Sequence, residues 1–177
     1  MKDGGGKEWK GWFSFVFLFL PMIIITGCAF NQGVPQWSGS GFVRKELSDY
    51  KSVAVLPFEG DDSGEVSNAF TLSFHQKFPE ISIVDRKQVL GVLQGQVLTP
   101  DRLDEKERLR IGNALAAQAL ITGNIYYPSI TRWLLQIVIL DTETGNVMGR
   151  SLVEINFMGA EGKEQAARFA VEKLTTR

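Results

Sequence analysis

Residues 133–140 read WLLQIVIL, residues 141–146 read DTETGN, and residues 147–157 read VMGRSLVEINF. The first run is almost wholly apolar and rich in branched side chains, which predicts a strand. The second combines Asp, Thr, Gly and Asn, the residues of a turn. In the third, Val153, Ile155 and Phe157 alternate with Glu154 and Asn156, the period-two signature of a half-buried strand. Together they predict a β-hairpin, and the rest of the chain is organised around it.

Upstream, Ala119-Leu120-Ile121-Thr122-Gly123-Asn124-Ile125 predicts a further strand. A charged segment precedes it, with Asp101, Asp104, Glu105 and Glu107 interleaved with Arg102, Lys106, Arg108 and Arg110, which reads as the solvated face of a helix turning Ile111 and Leu115 inward. Thr99-Pro100-Asp101 offers start chemistry for that helix. Earlier still, Ile81–Val84 predicts a short strand, and Val89, Leu90 and Leu93 mark a helix from near Asp85. Val66, Phe70 and Phe74 recur every four residues on one face of another helix, with Asp61, Asp62 and Glu65 at its start. Asp62 and Glu65 are the expected capping pair, and Ser52–Phe58 is a buried strand before them. Downstream of the hairpin, Ala166, Phe169, Ala170 and Leu174 form the stripe of a final helix from about Glu161. The predicted order is β-α-β-α-α-β-β-β-α, an α/β (α+β) fold with a mixed sheet of about five strands covered by three to four helices.

The chain has 177 residues, 44% hydrophobic and 22% charged, ordinary values for one globular domain. Nineteen basic against twenty acidic side chains leave a net charge of −1, so no basic footprint points to nucleic acid. One Cys and one His exclude an intramolecular disulfide and a Cys/His zinc site. His75 has no evident partner and reads as a surface or core-edge residue. No G-x-S-x-G or GxxxxGK motif occurs, and the expectation is a non-enzymatic protein without a cofactor.

The one cysteine has a different explanation. Lys2, Lys7 and Lys10 precede an apolar run from Trp12 to Ile25, followed by Ile25-Thr26-Gly27-Cys28. That layout is a bacterial export signal, too short and Pro-interrupted for a permanent span of roughly 20 residues. Its last four residues resemble the lipobox of bacterial lipoproteins. The resemblance implies cleavage between Gly27 and Cys28, a diacylglycerol on the Cys28 thiol and an acyl chain on its amino group. Such an anchor, worth ~0.8 kcal/mol per buried CH₂, holds a protein to the bilayer without spanning it. Ala29 after the cysteine favours, by the same resemblance, the periplasmic face of the outer membrane. The expected organisation is a signal over 1–27, a lipidated Cys and flexible tether over 28–50, and a folded domain over 51–177. Gly39-Ser40-Gly41 falls in the tether and lacks the strand and third glycine of a phosphate loop.

The strings VAVLPF (53–58), ISIVDRKQVLGVLQGQ (81–96), AQALITGNIYY (117–127) and LQIVILDTETGNVMGRS (135–151) resemble the periplasmic core of the curli-secretion (CsgG-like) lipoproteins. Neighbouring families with similar strands include lipoprotein activators of peptidoglycan synthases. The resemblance spans residues 51–174 and implies an envelope protein acting in assembly or secretion through protein–protein contacts, with homo-oligomers possible. The alternative it carries is a regulator of a peptidoglycan synthase. Transmembrane hairpins of the barrel-forming type need strands of about 9–11 residues, and the short connections at 126–132 and 158–162 leave no room for them. Tyr126, Tyr127 and Trp133, around Pro128, are the candidate partner anchors, because Tyr and Trp dominate interface hot spots. The competing expectation is that they cap the apolar edge of the sheet.

Overall fold

The computed structural model describes residues 36–95, 104–156 and 162–175. In chain order these form β1 (Gln36–Val43), a 3-10 turn (Lys45–Asp49), β2 (Ser52–Val55), α1 (Glu65–Lys77), β3 (Ser82–Ile83) and α2 (Arg86–Gly95). There follow α3 (Glu105–Ala114), β4 (Ala119–Ser129), β5 (Arg132–Asp141), β6 (Val147–Asn156) and α4 (Gly162–Glu172). One six-stranded sheet has the order β1-β6-β5-β4-β2-β3. The pairs β2–β3 and β2–β4 are parallel and the rest antiparallel, which is the mixed sheet expected from the sequence.

The hairpin stands where the sequence puts it, β5 and β6 pairing from Arg132↔Asn156 to Leu140↔Val147. Asp141 organises its turn, its carboxylate accepting from the Glu143 and Thr144 amides at 3.0 and 2.6 Å. The Tyr50 hydroxyl donates to the same carboxylate from outside the hairpin. Burial pushes the Asp141 carboxyl up, but the bonds from Tyr50, Thr144 and Glu143 outweigh it and hold the pKa below the ordinary value. For Tyr50, burial and then the adjacent Asp141 charge both push the phenol above its usual range.

The core lies mainly between the sheet and the pair α1 and α4. Phe70 and Phe74 are fully buried, stacked with ring centroids 5.8 Å apart, and Phe58 meets Phe70 edge-on at 5.5 Å. Ala166 and Ala170 of α4, and Leu174 two residues past its end, are buried as the stripe predicts. On the opposite face a smaller cluster joins Ala54, Leu56 and Leu120 to Val89 and Leu93 of α2, Ile111 of α3 and Leu115 at its C-terminal cap.

Two expectations change. Residues 36–43 are not tether: they form β1, in unbroken antiparallel register with β6 from Gln36↔Asn156 to Val43↔Gly149. The Gly-Ser alternation that mimics a linker is a packing requirement. A Cβ on Gly41 would meet the Lys173 carbonyl at 2.7 Å, and one on Gly39 would meet Phe169 at 3.0 Å, so α4 lies against this strand where side chains are missing. Second, Asp61 rather than Asp62 caps α1, accepting from the Val66 and Ser67 amides at 3.3 and 2.8 Å. Thr99, Pro100 and Asp101 lie outside the described residues; α3 starts with a capping box in which Asp104 accepts from the Glu107 amide and Glu107 from the Asp104 amide.

Candidate binding face

On β5, Trp133, Leu135, Ile137 and Ile139 are buried beneath the α1/α4 layer, and the residues between them point to the other face. There α2 and α3 cover only the β2/β4 end. Register then determines which side chains share the remainder. Phe42, Arg150, Val138 and Thr122 form one row across β1, β6, β5 and β4. Ser40, Leu152, Gln136 and Asn124 form the next, and Ser38, Glu154, Leu134 and Tyr126 the third.

This face has the composition of a recognition surface. Leu134, Val138 and Phe42 are half-buried, while Leu152 and Tyr126 are 38% and 42% exposed. A hollow of about 350 Å³ is lined by Phe42, Tyr126, Gln136, Arg150 and Leu152. Gln136 connects it to a polar notch of about 150 Å³ bordered by Glu59, Arg108, Thr122 and Asn124. The notch is held open by main-chain and amide bonds: the Glu59 amide donates to the Gly123 carbonyl at 2.9 Å, and Asn124 Nδ2 donates to Glu59 Oε2 at 2.9 Å. At the other border Arg132 and Glu154 are paired at 2.5 Å across β5 and β6. Apolar centre, aromatic side chain and polar rim together are what a protein-binding patch requires.

The predicted anchors separate. Tyr126 stands on the open face and Tyr127 is 59% exposed beyond it, whereas Trp133 is 7% exposed in the helix-covered core. Trp133 is therefore a packing residue, not a partner contact, because the strand alternation turns it inward. Gly27 and Cys28 lie outside the described residues. His75 is exposed on α1. Among the described residues no cluster of His, Cys, Asp and Glu could hold a metal ion, and no helix is long and apolar enough to cross a membrane. Phe42, Gln136, Arg150 and Leu152 were not singled out by sequence; the one cue is Gln136, a polar residue inside an otherwise apolar strand. Arg108, expected on a solvated helix face, instead borders the notch.

No family model matches the chain, and no curated protein sequence matches it either. Among solved structures, the chain is similar to the PelC dodecamer from Paraburkholderia phytofirmans at 12% identity and TM-score 0.51, over 78% of this chain and 94% of that one. It is also similar to lipoprotein GNA1162 from Neisseria meningitidis (12% identity, TM-score 0.49, 63% and 83% covered) and to the LpoB C-terminal domain from Salmonella enterica (13%, 0.48, 58% and 79%). At these identities the likeness is one of fold. The curli-secretion resemblance is corrected accordingly: the fold likeness that carries weight is to PelC, and no family model supports the curli group. Strings such as VAVLPF and LQIVIL reflect what any buried strand needs, so they carry fold and not family.

Proposed function

We propose that this chain is a non-enzymatic lipoprotein of the cell envelope, held to the periplasmic face of the outer membrane by acyl chains on Cys28. Its folded domain binds another envelope protein on the open sheet face. The partner we favour is a peptidoglycan-synthesising enzyme, which the domain regulates from its tether. The observation that supports this reading is the face itself, where Tyr126, Leu134 and Leu152 lie among Gln136, Arg150 and Glu154 and no helix among the described residues covers them. An exposed apolar patch with a polar rim is retained on a small domain when a partner covers it.

Two measurements test it. Intact mass of the mature protein reads the anchor: the parent should carry a diacylglyceryl group and an acyl chain that Cys28→Ala lacks, and an unlipidated parent overturns the anchor. Binding to a purified peptidoglycan synthase, with glycan polymerisation and crosslinking followed alongside, reads the partner. Tyr126→Ala/Leu152→Glu should abolish binding and stimulation, while the exposed Leu72→Glu on α1 should leave both intact. Equal binding by parent and open-face variant rejects the assigned face, and no binding by the parent rejects the partner.

A further inference from the structure

β1 is the terminal strand of the described sheet, and its outer edge carries main-chain groups that, Val43 apart, no described residue occupies. The Arg44 amide donates to Met148 of β6 at 2.7 Å, while the Val43 amide turns the other way and donates to the Thr175 carbonyl at 3.0 Å. Successive residues of a strand present their N–H and C=O to opposite edges. Val43 therefore fixes the parity: Phe42, Ser40 and Ser38 bond β6, and Gly41, Gly39 and Trp37 face outward. Among the described residues only Thr175 reaches that edge. The strand QWSGSGFV holds no charge and no Pro, and its register with β6 has no bulge, so the devices that usually blunt an edge are missing. At the far side of the sheet β3 has only two residues and offers no comparable template.

We propose that two copies of this chain on one membrane pair their β1 strands antiparallel about a two-fold axis through Gly39, joining two six-stranded sheets edge to edge. In this register Trp37, Gly39 and Gly41 meet Gly41, Gly39 and Trp37 of the second copy, so the free donors and acceptors satisfy one another. That self-complementarity is what an isologous contact requires. On the α4 side Phe169 and the Lys173 carbonyl already lie against Gly39 and Gly41, so the seam uses only the outward main-chain edge, and Thr175 closes it at Val43. The tether length accommodates a second copy on the same membrane. Cys28 lies eight residues before Gln36, a reach of at most about 28 Å. The two Gln36 ends of such a pair stand roughly 20 Å apart, at ~3.3 Å per residue. With the axis normal to the bilayer both anchors reach one leaflet. This membrane geometry rests on lipidation of Cys28; the seam itself does not.

The register gives a specific test. Ser38 faces Ser40 of the second copy in a non-hydrogen-bonded pair, about 4.5 Å between Cα atoms, within disulfide range. Ser38 faces its own counterpart only diagonally, about 7–8 Å away and outside that range. Full-length lipoprotein is prepared as Ser38→Cys and as Ser40→Cys and reconstituted in phosphatidylethanolamine/phosphatidylglycerol vesicles, with mild oxidation. A disulfide-linked dimer is expected when the two are mixed and not from either alone. Both serines are exposed, so folding should be unaffected. Sedimentation of the detergent-solubilised protein supplies an independent readout. Ser38→Lys/Ser40→Lys should weaken the dimer about tenfold by opposing like charges, and Ser38→Lys/Ser40→Glu should restore it. A monomeric parent, crosslinking indifferent to which serine is replaced, or failure of the Lys/Glu pair to restore association each overturns the proposal. The mass at Cys28 is read separately, so a missing anchor is told apart from a missing seam.

Discussion

Tyr126 and Trp133 stand on opposite faces of the sheet: Tyr126 of β4 pairs with Leu134 of β5 and is 42% exposed, while Trp133, the residue before Leu134, is 7% exposed beside Gly162 at the start of α4. Their truncations should therefore have opposite signatures. Trp133→Ala removes a large buried ring and should cost about 3–5 kcal/mol in urea unfolding. Tyr126→Ala should stay within about 0.5 kcal/mol of the parent and lower only partner binding. A strongly destabilised Tyr126→Ala would contradict its placement on an open face.

The contrast shows what the sequence made legible. Helix faces were readable because Val66, Phe70 and Phe74 have a single periodicity to satisfy, and all three are fully buried. The hairpin was readable because its turn residues and the alternation at Val153 and Ile155 agree. The open face was not. Residues 133–140 are apolar on both sides, so periodicity cannot tell a side chain under a helix, Leu135, from one on the uncovered surface, Leu134. Which strands α2 and α3 cover is set by tertiary packing. β1 is illegible for a related reason: its glycines admit a helix and its serines face the open side, a pattern that shares its Gly/Ser composition with a flexible linker.

The glycines of β1 yield a second expectation. Gly41→Ala would place its Cβ against two backbone carbonyls, Lys173 at 2.7 Å and Arg150 at 2.8 Å, neither of which can rotate away. Separation of α4 from the strand should cost about 1–3 kcal/mol. Ser40→Ala, one residue earlier but on the exposed side, should change unfolding by less than about 0.5 kcal/mol. Equal effects at both positions would show that α4 does not pack against β1 as described.

At the start of α1 the two neighbouring aspartates should separate just as cleanly. Asp61 is 9% exposed and accepts two helix-start amides, whereas Asp62 is exposed. Asp61→Ala should cost about 0.5–2 kcal/mol and speed amide exchange at Val66 and Ser67. Asp62→Ala should do neither. A larger effect at Asp62 would return the cap to the residue that spacing alone suggests.

The Tyr50–Asp141 bond ties the segment before β2 to the β5–β6 turn, and its contribution should depend on pH at both extremes. Asp141 titrates below its ordinary 3.8, so its stabilisation is full above that value and is lost as acid protonates the folded carboxyl. Tyr50 titrates above its ordinary 10.0, so its stabilisation is full below that value. Above it the unfolded phenol ionises while the folded one keeps its proton, and stability falls. Tyr50→Phe removes the bond and the alkaline titration together. At neutral pH the variant should be less stable by about 1 kcal/mol, a figure kept small because the pair is only part-buried. The difference from the parent should be flat between pH 5 and 9 and shrink in both directions outside that window, as read by urea unfolding across pH. A difference that stays constant beyond pH 10 would mean that the Tyr50 hydroxyl is solvated and does not donate to Asp141.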